Sequence, residues 1–236
     1  MTLTANVCQR CVLNLKFALE LKQNILTEER IAKFKKATKR RQNNLTVILE
    51  NVHDHHNISA VLRSCDSVGI KEIFVLYTQE GLTEEHLKLH KSVSSGARRW
   101  VNVNFYKDIT ACFEHIQRDY KHIYSTHLAE QPTSLYELDL TNSVALLFGN
   151  EKDGVSEEAL AYSTGNFIIP QMGMVQSLNI SVACAVTIYE AFRQRDAKGM
   201  YADNVPMTPS EQQDLFDSFL ERQLNRQKGN IAKKIK

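Results

Sequence analysis

No stretch of this 236-residue chain stays apolar for long. The longest uninterrupted runs, such as Val144 to Phe148, fall far short of the roughly 20 residues a bilayer requires, so no membrane span is expected. The apolar residues of the N-terminus are interrupted by Asn6, Gln9, Arg10 and Asn14, which fits no export signal. A soluble, cytoplasmic protein is therefore expected. Cysteine is sparse and odd in number, five in all, so there is no paired disulfide framework, which suits a reducing compartment. Cys8 and Cys11 form a lone C-x-x-C, and one such pair without a second makes a poor zinc site; two thiols on a helix face is the plainer reading. Neither G-x-G-x-x-G nor G-x-x-x-x-G-K-[ST] occurs, which disfavours standard dinucleotide and P-loop sites. Internal repeats and low-complexity tracts are also missing. The net charge is only +2, too small for the whole chain to specify a polyanionic partner.

What is present is a chain with 43% hydrophobic residues, enough to bury one sizeable core. Residues 1–44 show helical spacing (Leu13, Phe17, Leu21, Ile31, Phe34) and read as a helical extension. From Leu45 the pattern changes to short β-rich runs: Leu45 to Glu50, Ile73 to Tyr77, Val101 to Phe105, Ile123 to Thr126, Val144 to Phe148 and Phe167 to Ile169. Between them, helices are predicted over Ile58 to Val68, Glu84 to Ser92, Ile109 to Arg118 and Ser156 to Tyr162. Alternation of this kind predicts an α/β fold, a mostly parallel sheet with helices on both faces and right-handed crossovers. Ile180, Cys184, Ile188 and Ala191 mark a long closing helix of the 45–196 domain. Residues 197–236 then hold a turn-rich connector, an amphipathic helix (Leu215, Phe216, Phe219, Leu220) and a basic tail.

Three segments set polar residues where a predicted strand gives way to a turn or helix: Asn57 to Arg63, Leu147 to Gly154, and Ile169 to Asn179. Strand ends of that kind are where open α/β sheets gather ligands. Each residue read alone has an ordinary use. Asn57 could cap the following helix, Arg63 could be a surface arginine, and Ser177 and Asn179 stand where a cap of the long helix would stand. Glu151 lies in a polar turn. Gly149, Gly154 and Gly173 could be turn glycines, or could let backbone groups approach a ligand. The run His53-Asp54-His55-His56 invites a metal reading, but the further aspartates of a two-metal phosphoesterase are missing after the other strands, and no metal is expected.

Taken together, Asn57 to Arg63, Leu147-Phe-Gly-Asn-Glu-Lys-Asp-Gly-Val-Ser-Glu-Glu158 and Ile169-Pro to Ser177-Leu-Asn179 resemble, in order and spacing, the three signature motifs of the SPOUT-class RNA 2′-O-ribose methyltransferases. Within that family the TrmH-type branch, which modifies guanosine-18 of tRNA, is the nearest, and Glu50-Asn-Val-His-Asp fits it too. The resemblance runs from about Leu45 to Arg195. It implies S-adenosyl-L-methionine as cofactor, held in a C-terminal trefoil knot, an exception to the rule that chains are unknotted. It also implies cofactor contacts at Thr126, Gly149, Ile169 and Leu178. A homodimer is implied as well, with Asn57, Arg63, Glu151, Ser177 and Asn179 in a catalytic pocket at its interface. Arg63 would be the base for the ribose hydroxyl or, since a guanidinium holds its proton, a clamp for the substrate phosphate.

Six of the nine residues from Lys33 to Arg41 are basic, and the tail from Arg226 to Lys236 has five basic residues and no acidic one. Under the resemblance, Lys33, Lys35, Lys36, Lys39, Arg40 and Arg41, with Arg193 and Arg195, become contacts to the tRNA backbone, which would release counterions on binding. Ribosomal RNA is the alternative substrate. A non-catalytic RNA-binding protein is the rival from another class.

Overall fold

The structure, a computed structural model, describes residues 26–87, 96–127, 132–175, 177–202 and 205–234. The chain divides into two compact units, Met1–Thr38 with Pro209–Lys236, and Lys39–Thr208. In the first, α1 (Glu28–Thr38) and the last helix (Pro209–Lys234) pack through an edge-on contact of Phe34 with Phe219, ring centroids 5.9 Å apart. Leu26, Leu215 and Leu220 are buried with them.

The second unit runs β1 (Leu45–Glu50), α2 (His55–Ser67), β2 (Glu72–Leu76), β3 (Asn102–Tyr106), α3 (Ile109–Asp119), β4 (His122–Thr126), β5 (Thr133–Ser134), β6 (Val144–Phe148), α4 (Glu157–Leu160), β7 (Gly165–Ile168) and α5 (Ile180–Ala197). All seven strands are parallel, in the order β3-β2-β1-β6-β4-β7-β5. The first three strands step outward, and the later β6 and β7 then insert between strands already laid down: β6 between β1 and β4, β7 between β4 and β5. Every residue of β1, β2 and β6 is buried, because a parallel sheet is covered on both faces. The pleat sorts their side chains. Leu45, Val47, Leu49, Ile73, Val75, Leu146 and Phe148 meet Ile58, Leu62 and Cys65 of α2 and Cys184, Ile188 and Ala191 of α5. Ile48, Phe74, Leu76, Ala145 and Leu147 face Ile109, Cys112, Phe113 and Ile116 of α3. Each large aliphatic side chain so buried contributes about 1.5–3 kcal/mol. Burial pushes the Cys112 thiol up to about 12 and raises that of Cys65, which lies against Cys184, so these thiols are held as packing groups and not as nucleophiles.

Every predicted strand is present, within one or two residues of its predicted bounds. β5 has only two residues and leaves no period to read. The segment Glu84 to Ser92, expected as a helix, holds a single 3-10 turn over Glu84–Leu87, and its remainder lies outside the described residues, as do Leu13, Phe17, Leu21, Cys8 and Cys11. Helix α2 starts three residues earlier than expected. Its cap is Asp54, whose carboxylate accepts from the His56 N–H at 2.8 Å, and not Asn57.

Candidate active site at the carboxyl edge of the sheet

Because the strands are parallel, the chain leaves β1, β6, β4 and β7 at one edge of the sheet, and the three polar segments follow β1, β6 and β7. Asn57 lies in the first turn of α2, one turn inside the Asp54 cap, which frees its amide for partners on other segments. Its Nδ2 donates to Glu151 Oε1 at 2.5 Å, and its Oδ1 accepts from Asn179 Nδ2 at 3.1 Å. Asn179 caps α5, its Oδ1 accepting from the Ser181 N–H at 2.9 Å and from the Ser181 hydroxyl at 2.6 Å. Residues 57, 151 and 179, distant in sequence, thus form one hydrogen-bonded line.

The rest of the expected pocket is only partly gathered. Ser177 is exposed, two residues before Asn179. Arg63 is exposed on α2, and six residues of helix carry it about 120° round the axis from Asn57, away from the face where Ile58, Val61, Leu62 and Cys65 are buried. Of the histidine run, His53 and His56 are exposed, and the His55 and His56 rings lie against each other with centroids 4.1 Å apart.

The segment after β6 shows why glycine stands at 149. The chain folds back at once, with Asn150 bridged to Gly154, so that a Cβ on Gly149 would lie 1.9 Å from the Gly154 carbonyl oxygen. Asn150 braces this turn: its Oδ1 accepts from the N–H groups of Lys152 (2.9 Å) and Asp153 (2.7 Å), and its carbonyl accepts from Gly154 at 3.1 Å.

Can these strand ends hold the implied cofactor? Thr126, Gly149 and Ile169 sit at the ends of three neighbouring strands, β4 being paired with β6 and β7 and Thr126 standing opposite Phe167. The three termini offer backbone donors and acceptors beside the half-buried Ile169 and Leu178. Next to Thr126, the buried Ser125 hydroxyl makes no hydrogen bond among the described residues. A rim of backbone polar groups and aliphatic side chains fits a nucleoside with an amino-acid tail.

Two of the expected RNA contacts are overturned. Arg195 is fully buried, and its guanidinium donates to the carbonyls of Leu140 (2.8 Å), Asn142 (2.6 Å) and Asn44 (3.2 Å) and to the side chains of Asn44 (2.6 Å) and Gln42 (3.0 Å). Burial lowers its pKa to about 10. Arg41 is likewise buried, bonded to the Ile70 carbonyl at 2.7 Å and paired with Asp66. Both arginines tie the unit together and are out of reach of a phosphate. Lys33, Lys35, Lys36, Lys39 and Arg40 are exposed, and Arg193 is exposed while gripping Glu190 through two hydrogen bonds of 2.8 and 2.7 Å.

Sequence reasoning misses the supports beneath the site. Glu50, fully buried, accepts from the Ser156 N–H at 2.9 Å and from its hydroxyl at 2.5 Å. Asn51 adopts a left-handed φ of 54°, and its Oδ1 accepts from the N–H groups of Thr78 (2.9 Å) and Gln79 (3.2 Å). The Tyr77 hydroxyl donates to the Val52 carbonyl at 2.9 Å. The signals in the sequence are an acidic residue ending a largely apolar strand and the run Glu50-Asn-Val-His-Asp.

Residues 44–189 match the SpoU rRNA Methylase family. The chain is 40% identical over 196 residues to the tRNA (guanosine(18)-2′-O)-methyltransferase of Thermus thermophilus, across 83% of this chain and 98% of that protein. It is similar to the crystal structure of the Aquifex aeolicus TrmH/SpoU tRNA modifying enzyme, with a TM-score of 0.73, 30% identity and coverage of 82% of this chain and 96% of that one. It is also similar to an AdoMet-bound rRNA methyltransferase from Sinorhizobium meliloti, with a TM-score of 0.56, 25% identity and coverage of 65% and 57%.

Proposed function

The chain belongs to the SpoU rRNA Methylase family, and on that premise we propose that it methylates the ribose 2′-hydroxyl of guanosine-18 in tRNA. The observation that carries the reading is the hydrogen-bonded line Glu151–Asn57–Asn179, which joins three distant segments at the edge where parallel sheets bind ligands. The near full-length likeness to a relative named for guanosine-18 supports the choice of nucleotide.

S-adenosylmethionine, when bound, supplies an electrophilic methyl group. What the chain must add is placement of the ribose hydroxyl in line with that methyl and removal of its proton, and holding reacting atoms at near-attack distance supplies much of the acceleration. Thr126, Gly149, Ile169 and Leu178 hold the cofactor in a trefoil knot, a reading supported by the insertion of β6 and β7 between earlier strands. Glu151, Asn57 and Asn179, with Ser177, orient the ribose. Because a guanidinium keeps its proton, the role that suits Arg63 best is to clamp the substrate phosphate and favour the alkoxide, and the hydroxyl proton then leaves to that phosphate or to water.

The protein acts in the cytoplasm as a homodimer. Support for the dimer comes from exposed apolar residues around the site: Met172, Met174 and Val175 after β7, and Val182 and Tyr189 on α5. The exposed bases of α1 and of the two residues that follow it, Lys33, Lys35, Lys36, Lys39 and Arg40, contact the tRNA backbone, as does Arg193.

Labelled S-adenosylmethionine, incubated with the protein and separate pools of tRNA and ribosomal RNA, tests this reading when the methylated ribose is mapped. Label at guanosine-18 of tRNA is expected. Label confined to ribosomal RNA would move the substrate, and none in either pool would overturn the reading.

A further inference from the structure

We infer that Glu50 is a positioning residue for methyl transfer: its buried carboxylate sets the distance between the segments that carry Asn57 and Glu151. The inference rests on the methyltransferase reading above.

A carboxylate at the end of an interior strand of a sheet is costly to bury unless both oxygens are bound. Glu50 meets that demand with a single residue. Its Oε2 accepts from the Ser156 N–H at 2.9 Å and its Oε1 from the Ser156 hydroxyl at 2.5 Å, while Ser156 Oγ accepts in turn from the Ala159 N–H at 3.2 Å. Ser156, the N-cap residue of α4 just after the Glu151 turn, is thereby tied to the last residue of β1. The other end of that turn continues from Phe148, which pairs with Leu49 of β1. Its middle is closed by Asn150, and Asp153 accepts from Gln79 Nε2 at 3.3 Å.

The segment that carries Asn57 is fixed by the same strand end. Asn51 accepts from the backbone of Thr78 and Gln79, and Val52 accepts from the Tyr77 hydroxyl. Three successive residues, 50 to 52, thus hold both sides of the Asn57–Glu151 bond. A carboxylate used only for stability could give way to a packed apolar group at little cost. One that sets the reach of Glu151 could not.

The test uses Glu50→Gln and, should that variant fail to fold, Ser156→Ala, which removes the hydroxyl bond from the other side. Hydrogen exchange should quicken in residues 150–158 while the amides of β1 and β6 keep their protection. Single-turnover methyl transfer at saturating cofactor and tRNA should fall about 10- to 100-fold. In a Glu151→Gln background the same substitution should cost little more, because its effect passes through Glu151. Unchanged exchange in the loop, or equal losses in both backgrounds, would overturn the inference. A wild-type protein that methylates no RNA would instead overturn the functional reading, and the exchange measurement would still decide whether Glu50 holds the loop.

Discussion

Asn57 has two neighbours that ask opposite things of it. Glu151 needs a donor and Asn179 needs an acceptor, and only an amide presents both from one planar group. Asn57→Asp would set a carboxylate against Glu151, and Asn57→Ala would leave both partners unmatched. Either change should lower the single-turnover rate about 100-fold while cofactor affinity, measured by calorimetry, stays close to that of the wild type. The corresponding expectation for Arg63→Ala is loss of methyl transfer with cofactor binding retained, and an active variant would remove Arg63 from the reaction. Arg195 shows the opposite use of the same side chain. Its guanidinium satisfies five acceptors in the interior, so Arg195→Met should cost about 3 kcal/mol or more in urea unfolding and leave the salt dependence of tRNA binding as it was.

At the scale of elements, turn chemistry decides where residues point. Apolar runs are enough to place the strands, and long buried ones such as Leu45 to Glu50 are hard to mistake. The start of α2 is harder to place, because Asn57 is a good cap by type, whereas Asp54 precedes it and wins. The consequence is functional: a capping Asn57 would spend its side chain on its own helix. Arg41 and Arg195 mislead for a related reason, since composition shows a charge but not the carbonyls that other segments of chain bring around it. The bond of Glu50 to Ser156 is illegible in the sequence because the two lie 106 residues apart. The turn after β6 carries the sharpest prediction here. A Cβ at 149 would meet backbone at 1.9 Å, and backbone cannot swing aside as a side chain can, so Gly149→Ala should destabilise the unit by about 1–3 kcal/mol and weaken cofactor binding in calorimetry. Near the end of α5, hydrogen bonds from Arg193 and then Gln194 hold the Glu190 carboxyl below its usual range, against the opposing effect of burial. A carboxyl with a depressed folded-state pKa adds stability that is complete above the ordinary carboxylate range and is lost as pH falls through and below it. Glu190→Gln should therefore lower the melting temperature at neutral and alkaline pH, and the difference from the wild type should shrink as pH falls through and below the carboxylate range.

At the scale of the whole molecule, two surfaces call for partners of different kinds. The exposed lysines of α1 attract phosphate by charge alone, so replacing Lys33, Lys35 and Lys36 by Ala should reduce the salt slope of tRNA binding by about one for each lysine removed, with little effect on the rate of bound tRNA. The second surface is apolar. Helix α5 buries Ile180, Cys184, Ile188 and Ala191 against the sheet yet leaves Val182 46% and Tyr189 51% exposed, so it is apolar on more than the core side, the pattern of a helix covered twice. Tyr189 also reaches Ser67 of α2 at 3.1 Å, and Ser67 stands one turn beyond Arg63 on the same helix. A second subunit docked over Val182 and Tyr189 would therefore close over the exposed Arg63 face of α2. Val182→Asp with Tyr189→Asp should yield a folded monomer by sedimentation, since neither side chain belongs to the core, and that monomer should bind tRNA through α1 but transfer no methyl group. A wild-type protein that sediments as a monomer and still methylates tRNA at full rate would mean that Arg63 needs no partner to reach its substrate.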